Sequence, residues 1–250
     1  MWFEFPKDKS LIGLDTQFMF GEHILVCPKL IQPDNEDKLW SVNCTMPTTS
    51  NWYYWYNRVS TPGSGFQALQ VPDSEQGIFV KGGAIIPILQ HTDEMSLLHA
   101  LGNDITLEIY PDQSGEAQGH LYMDDGATFA YQSLGCEKTY VKFSFTDNVL
   151  IHAIDISNKC WYSSAEKTAI SVIAIYDVLS EPVDVLLKTT GESLDFKYSQ
   201  EEKSLTIVDV PLTVYVPGEI RGQKTELVEV VYGEQPKVIG AALNLSFLEA

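Results

Sequence analysis

Apolar and polar residues alternate with a period of two through most of the second half of the chain, and this pattern constrains the fold more than any other feature. Tyr140 to Ser157 (Tyr-Val-Lys-Phe-Ser-Phe-Thr-Asp-Asn-Val-Leu-Ile-His-Ala-Ile-Asp-Ile-Ser) reads as two strands turned at Asp147-Asn148. Thr168 to Tyr176 is a further β-rich run, closed by Ser180-Glu181-Pro182. Val183–Lys188, a turn at Gly191, Phe196–Tyr198, Ser204–Val208, Val214–Val216 and Glu226–Tyr232 continue the series. Strands about 8–12 residues apart with turn residues between them signal a sandwich. Helical spacing is confined to Asp93–Leu101 and Leu11–Met19. Pro111-Asp112-Gln113-Ser114-Gly115 interrupts the pattern and puts an internal boundary near Tyr110–Gly119.

The 250 residues suffice for two ordinary domains or one large all-β unit. With 44% hydrophobic and 11% aromatic residues the chain can bury a core. Sixteen Lys plus Arg stand against 34 Asp plus Glu, a formal net charge of −18. That balance, with no cationic cluster, argues against nucleic acid or an anionic membrane surface as a partner. No apolar run approaches the roughly 18 residues of a membrane span. The start, Met1-Trp2-Phe3-Glu4-Phe5-Pro6, has neither the basic region nor the apolar stretch of a signal peptide. It reads like the middle of a strand, as if the chain were cut from something longer.

Cys27, Cys44, Cys136 and Cys160 are too widely spaced for a zinc site. Each sits in an apolar context, where a buried thiol is the default, although four cysteines also permit two disulfides in an oxidising compartment. Asn43-Cys44-Thr45 and Asn244-Leu245-Ser246 fit the acceptor pattern for N-glycosylation and lean toward a secretory setting. The five histidines, His23, His91, His99, His120 and His152, show no ligand spacing, so no metal site is expected.

The acidic balance invites a search for the paired carboxylates of glycoside hydrolysis. Asp124 and Asp125 are adjacent, so in a strand they face opposite sides, and the following Gly126 favours a turn. Asp34, Glu36 and Asp37 read as a polar loop, and Glu201-Glu202 as a hairpin tip. Gly63-Ser64-Gly65 lacks the spacing of a nucleophile elbow, and Gly82-Gly83 lacks the residues of a phosphate cradle. No catalytic constellation is complete, and no catalytic residue is expected. Asn51-Trp52-Tyr53-Tyr54-Trp55-Tyr56 is the most distinctive run. As a strand it puts Trp52, Tyr54 and Tyr56 on one face and Tyr53 and Trp55 on the other. Such rings cover a core or a domain interface, or else form a platform for a saccharide, for which Trp52 and Trp55 are the candidates.

Several segments resemble the C-terminal third of glycoside hydrolase family 31, the α-glucosidase family. Trp2-Phe3-Glu4-Phe5-Pro6-Lys7-Asp8 is similar to the segment that closes the family's catalytic barrel. Asp15-Thr16-Gln17-Phe18-Met19-Phe20-Gly21 is similar to its Asp-x-Gln-Phe-Met-x-Gly signature, followed by Ile24-Leu25-Val26-Cys27-Pro28. Pro47 through Trp55, Ile78 through Pro87 and Leu121-Tyr122-Met123-Asp124-Asp125-Gly126 resemble three further segments in the family's order. Tyr54 stands where the family often has Asp, and Lys81 where Arg is common.

The resemblance implies a mostly-β chain: the end of a (β/α)8 barrel at residues 1–25, a proximal β-domain at 26–113 and a distal β-sandwich at 114–217. Residues 218–250 match nothing in the family. It implies that Trp52 and Trp55 pack the proximal domain onto the barrel, and that Ile85-Ile86 buries in the proximal sheet. The family's nucleophile is an Asp in a Trp-x-Asp-Met context, and no Trp here is followed two residues later by Asp. The expected function is therefore the non-catalytic, scaffolding portion of a retaining α-glucosidase-like hydrolase, silent on its own. No cofactor is implied. The expected partners are the barrel and the oligosaccharide of the parent enzyme, and the expected setting is the secretory pathway, the endoplasmic reticulum lumen, a lysosome or the exterior. The alternative is a stand-alone β-sandwich module that binds saccharide or assembles with a partner.

Overall fold

The computed structural model describes all residues except 31–38, 91–102, 133–137, 155–161, 163, 164, 166, 215–223 and 234–250. It divides into two compact units, Met1–Ala84 and Ile85–Ala250. Among the described residues helix is limited to two short 3-10 turns, Lys9–Leu11 and Ala130–Gln132. The mostly-β expectation holds.

The first unit contains strands β1 (Phe18–Phe20), β2 (Ile24–Cys27), β3 (Leu39–Met46), β4 (Asn51–Tyr54), β5 (Ser60–Pro62), β6 (Gly65–Pro72) and β7 (Gly77–Lys81). Five of them form a sheet in the order β1-β2-β7-β4-β5, while β3 and β6 pair with each other in a second sheet. The core between them contains Leu25, Cys27, Val42, Cys44, Met46, Trp52, Val71 and Phe79. The alternation of β3 is the reason it packs this way, because Val42, Cys44 and Met46 point inward while Ser41 and Asn43 point out. Of Leu11–Met19, where the spacing allows a helix or a helical turn, only Leu11 is helical, as the last residue of a 3-10 turn. Gly13 takes a φ of 78°, which ends the 3-10 turn, and Phe18–Phe20 instead pairs with Ile24–Val26 around Gly21 at φ 63°. The second expected helix, Asp93–Leu101, lies outside the described residues.

The second unit contains β8 (Ala84–Leu89), β9 (Ile105–Tyr110), β10 (Ala117–Met123), β11 (Thr139–Thr146), β12 (Val149–Ile154), β13 (Ala169–Tyr176) and β14 (Asp184–Leu187). β15 (Glu192–Ser193), β16 (Phe196–Ser199), β17 (Ser204–Ile207), β18 (Leu212–Thr213) and β19 (Thr225–Val231) complete it. The 12-stranded sheet runs β15-β14-β19-β12-β11-β10-β8-β9-β13-β17-β16, with β18 against β13. Asp147 and Asn148 turn β11 into β12 at φ 50° and 64°, the two left-handed residues of a tight hairpin. β9 pairs parallel with β13 and is almost wholly buried, as the near-continuous run Ile-Thr-Leu-Glu-Ile-Tyr requires. Val214 follows β18, and its amide donates to the Thr168 carbonyl at 2.9 Å in register with the β18–β13 pairing; the rest of the expected strand, residues 215–216, lies outside the described residues.

The expected division at 113/114 falls inside the second unit, since β8 and β9 hydrogen-bond into the sheet of β10 and β13. Ile85 accordingly buries in the second unit's core, not in the sheet of the first. Gly119 is what allows β10 to lie against β8, because a Cβ there would sit 2.0 Å from the Ile85 carbonyl oxygen.

Candidate functional site

The aromatic run does not present two open faces. Its strand stops at Tyr54, and the backbone reverses through Arg58 at φ 58°, with the Arg58 amide on the Tyr54 carbonyl at 2.8 Å. Trp52 and Tyr53 are both fully buried, so β4 is covered on both sides. The Trp52 indole N–H donates to the Pro47 carbonyl at 3.1 Å, and the Phe5 ring lies 6.1 Å away. Trp52 thus has no ring face left for a saccharide or for another domain. Trp55 sits in the turn, half-buried, with the Arg58 guanidinium 4.9 Å over its ring. The sequence signal that both readings missed is Asn51 itself, whose buried backbone and side chain leave Gly82 no room for a Cβ and so seal the strand on that side.

A cavity of about 300 Å³ opens where β3 and β6 meet the five-stranded sheet. Met46, Leu69, Val71 and Phe79 form its apolar wall, and Asn57, Thr61, Ser64, Gln67 and Gln70 its polar one. Among the described residues no charged side chain lines it. The Tyr54 ring stands 5.2 Å from Phe79 and 5.4 Å from Tyr56. Its phenol donates to Glu75 Oε2 at 2.6 Å, and burial together with that carboxylate pushes its pKa above the ordinary tyrosine value. The residues that line this cavity are spread over β3 to β7, so no local motif announces it.

Cys27 and Cys44, for which a thiol was the default, form a disulfide with a Cα–Cα distance of 5.5 Å. β2 and β3 each turn alternate residues inward, which brings the two side chains together inside one core. Cys136 and Cys160 lie outside the described residues. Asn43 is exposed on β3, while Asn244 lies outside the described residues. Gln17 clamps the same strand: its Oε1 accepts from the Thr45 amide at 2.6 Å and its Nε2 donates to the Thr45 carbonyl at 2.8 Å.

In the second unit Asp124 and Asp125 shape a turn. Asp124 accepts from the Gly126 amide at 2.8 Å and from the Tyr122 hydroxyl at 2.8 Å. Burial, then that carboxylate, pushes Tyr122 up to about 12. Asp125 accepts from the Thr128 hydroxyl and from the amides of Thr128 and Ala127, which hold its carboxyl below the usual carboxylate range. Both carboxylates are committed to the turn. Glu108 is buried in β9 with the phenols of Tyr110 and Tyr176 as donors, the latter at 3.1 Å. His152 is buried in β12, its Nε2 2.9 Å from the Val214 carbonyl, in a structural setting. Asp34, Glu36, Asp37, His91 and His99 lie outside the described residues.

The Glycosyl hydrolase family 31 C-terminal domain profile matches residues 1–86. The first unit is thus similar to the C-terminal domain of glycosyl hydrolase family 31. The chain is 29% identical over 211 residues to "Neutral alpha-glucosidase AB" of Dictyostelium discoideum, covering 83% of this chain and 21% of that protein. It is 27% identical over 211 residues to "Alpha-glucosidase" of Schizosaccharomyces pombe, covering 83% and 20%. The chain thus spans about a fifth of the length of these curated relatives. The fold is shared with the catalytic subunit in a crystal structure of the ER glucosidase II heterodimeric complex, at a TM-score of 0.72 and 18% identity, over 93% of this chain and 25% of that one. The larger family 31 enzymes therefore contain this region as one part among others.

Proposed function

We propose that this chain is the scaffolding, non-catalytic portion of a retaining α-glucosidase-like hydrolase whose catalytic barrel packs against the first unit. The observation that carries the reading is a set of large apolar side chains left in the open within the first twenty residues. Trp2, Phe3, Ile12, Phe18 and Phe20 are 66%, 81%, 74%, 50% and 70% exposed. Phe18 and Phe20 lie on one face of β1, at the edge of the five-stranded sheet, while Met19 between them turns toward the core. Apolar surface of this kind in water marks a face that something else covers. The family match over residues 1–86 supports the barrel as that cover. The parent enzyme would release terminal α-linked glucose with retention, through a covalent glycosyl intermediate.

Replacing Phe18 and Phe20 together by Ser tests this. In the isolated chain the change should raise solubility and lower self-association. In a polypeptide that also carries the family's barrel it should destabilise the enzyme and lower its activity. Unchanged behaviour in both settings would refute the docking face. The Cys27–Cys44 disulfide and the endoplasmic-reticulum setting named for the glucosidase II complex support a secretory location.

One observation favours the second reading, a saccharide-binding module. Among the described residues the cavity of about 300 Å³ has an apolar wall and an amide and hydroxyl rim with no charge, which suits a neutral sugar. Calorimetric titration with maltose and isomaltose tests it. Saturable heat that Gln67→Ala removes would support the module, and no heat at millimolar sugar would remove it.

A further inference from the structure

We propose that Asn43 carries an N-linked glycan whose first sugar ring lies over the exposed ring of Phe66. The proposal rests on the secretory location given above. Asn43 is the outward residue of an Asn-Cys-Thr acceptor tripeptide, and it stands in the open on β3. Its direct cross-strand neighbour on β6 is Ala68, and the next outward residue on its own strand is Ser41. Both are small, so a branched sugar has room to leave the sheet.

Phe66, two residues along β6 from Ala68, is the diagonal neighbour of Asn43 and is 65% exposed. Diagonal pairs on one face of an antiparallel ladder lie about 7–8 Å apart, within reach of an aromatic ring. The Phe66 ring thus stands open to water on the same outer face as Asn43. A pyranose presents a face of C–H groups that packs on an aromatic ring as an apolar surface does. The strand that holds Asn43 is fixed by the two residues that follow it. The Cys27–Cys44 disulfide anchors the residue after it, and Gln17 grips both backbone groups of Thr45. The separation between Asn43 and Phe66 is therefore set by the fold.

The transfer balances without an oxidant. The Asn43 side-chain nitrogen forms a bond to C1 of an oligosaccharide carried on a lipid diphosphate. The C1–O bond to the diphosphate breaks, and the amide gives up one proton.

The test uses the whole natural polypeptide recovered from its own cells. Peptide mapping under non-reducing conditions, with and without amidase, reads Asn43 and the cysteines together. The expected result is a glycan on Asn43 in the peptide crosslinked through Cys27–Cys44. A crosslinked peptide with unmodified Asn43 overturns the glycan and leaves the secretory location standing. Free thiols with unmodified Asn43 overturn both. The stacking is read separately by thermal melting. Trimming to the first sugar should leave the melting temperature unchanged, while full removal should lower it by about 2–4 °C. That loss should vanish in Phe66→Ala. An equal loss in Phe66→Ala would overturn the placement over the ring.

Discussion

Trp52→Ala separates a core residue from a binding residue. The indole is fully buried among Leu25, Val42 and Phe79, and its N–H is bonded to the Pro47 carbonyl at 3.1 Å. Removing a buried Trp side chain costs about 3–5 kcal/mol, from lost transfer energy plus the cavity left behind. The freed Pro47 carbonyl adds about 1 kcal/mol where water does not reach it. A total of about 4–6 kcal/mol is a large part of what a unit of 84 residues can hold in reserve. For a unit of this size, 1 kcal/mol moves the melting temperature by about 4–8 °C, so the first unit should melt at least about 15 °C lower. Scanning calorimetry of the chain measures it, with hydrogen exchange in β2 and β7 reporting which unit has loosened. Trp55→Ala is the matched control: its half-buried ring and its contact with Arg58 should contribute about 1 kcal/mol or less. A Trp52→Ala shift below 1 kcal/mol, with the second unit unchanged, would refute the core assignment.

Three other perturbations follow from the same geometry. Replacing Cys27 and Cys44 by Ser opens a link between residues 17 apart in sequence and should cost about 3 kcal/mol, read as a lower denaturant midpoint for the first unit. Gly119→Ala drives a Cβ to 2.0 Å from the Ile85 carbonyl, so β10 and β8 must part; a loss of about 1–3 kcal/mol in the second unit is expected, and a neutral result would refute the close approach. Asp125 titrates below its ordinary value because the Thr128 hydroxyl and the amides of Thr128 and Ala127 favour its charged form. Its contribution to stability is therefore present above the unfolded carboxylate range and is lost as pH falls through the folded pKa. Thr128→Ala should move the Asp125 titration upward in carbon-detected NMR, and an unmoved curve would reject the hydroxyl as the main cause.

The strand series of the second unit was legible because alternation is a local signal. Asp147-Asn148 and Gly191 sit where the chain turns, and β13, β16, β17 and β19 lie within a residue or two of their expected ends. The family segments were legible for the same reason, as short strings in a fixed order. Three things were hidden. Leu11–Met19 has helical spacing, yet Gly13 and the pairing of Phe18–Phe20 decide it, and strand pairing is a long-range fact. The aromatic run looked amphipathic, but a strand covered on both faces buries Trp52 and Tyr53 alike. The unit boundary at 84/85 has no local signal, because β8 and β9 join their sheet through β10 and β13, which follow the Pro111–Gly115 break. The disulfide and the cavity are likewise products of strands that meet only in three dimensions.

If these β-units act as scaffold, as proposed, the chemistry resides in a part of the enzyme outside this chain. The most direct measurement is turnover of an aryl α-glucoside by the purified 250-residue chain, beside a family 31 α-glucosidase at equal concentration. The expected result is release of the aryl alcohol at the buffer rate. Saturable turnover by the chain, retained after rigorous purification, would contradict it.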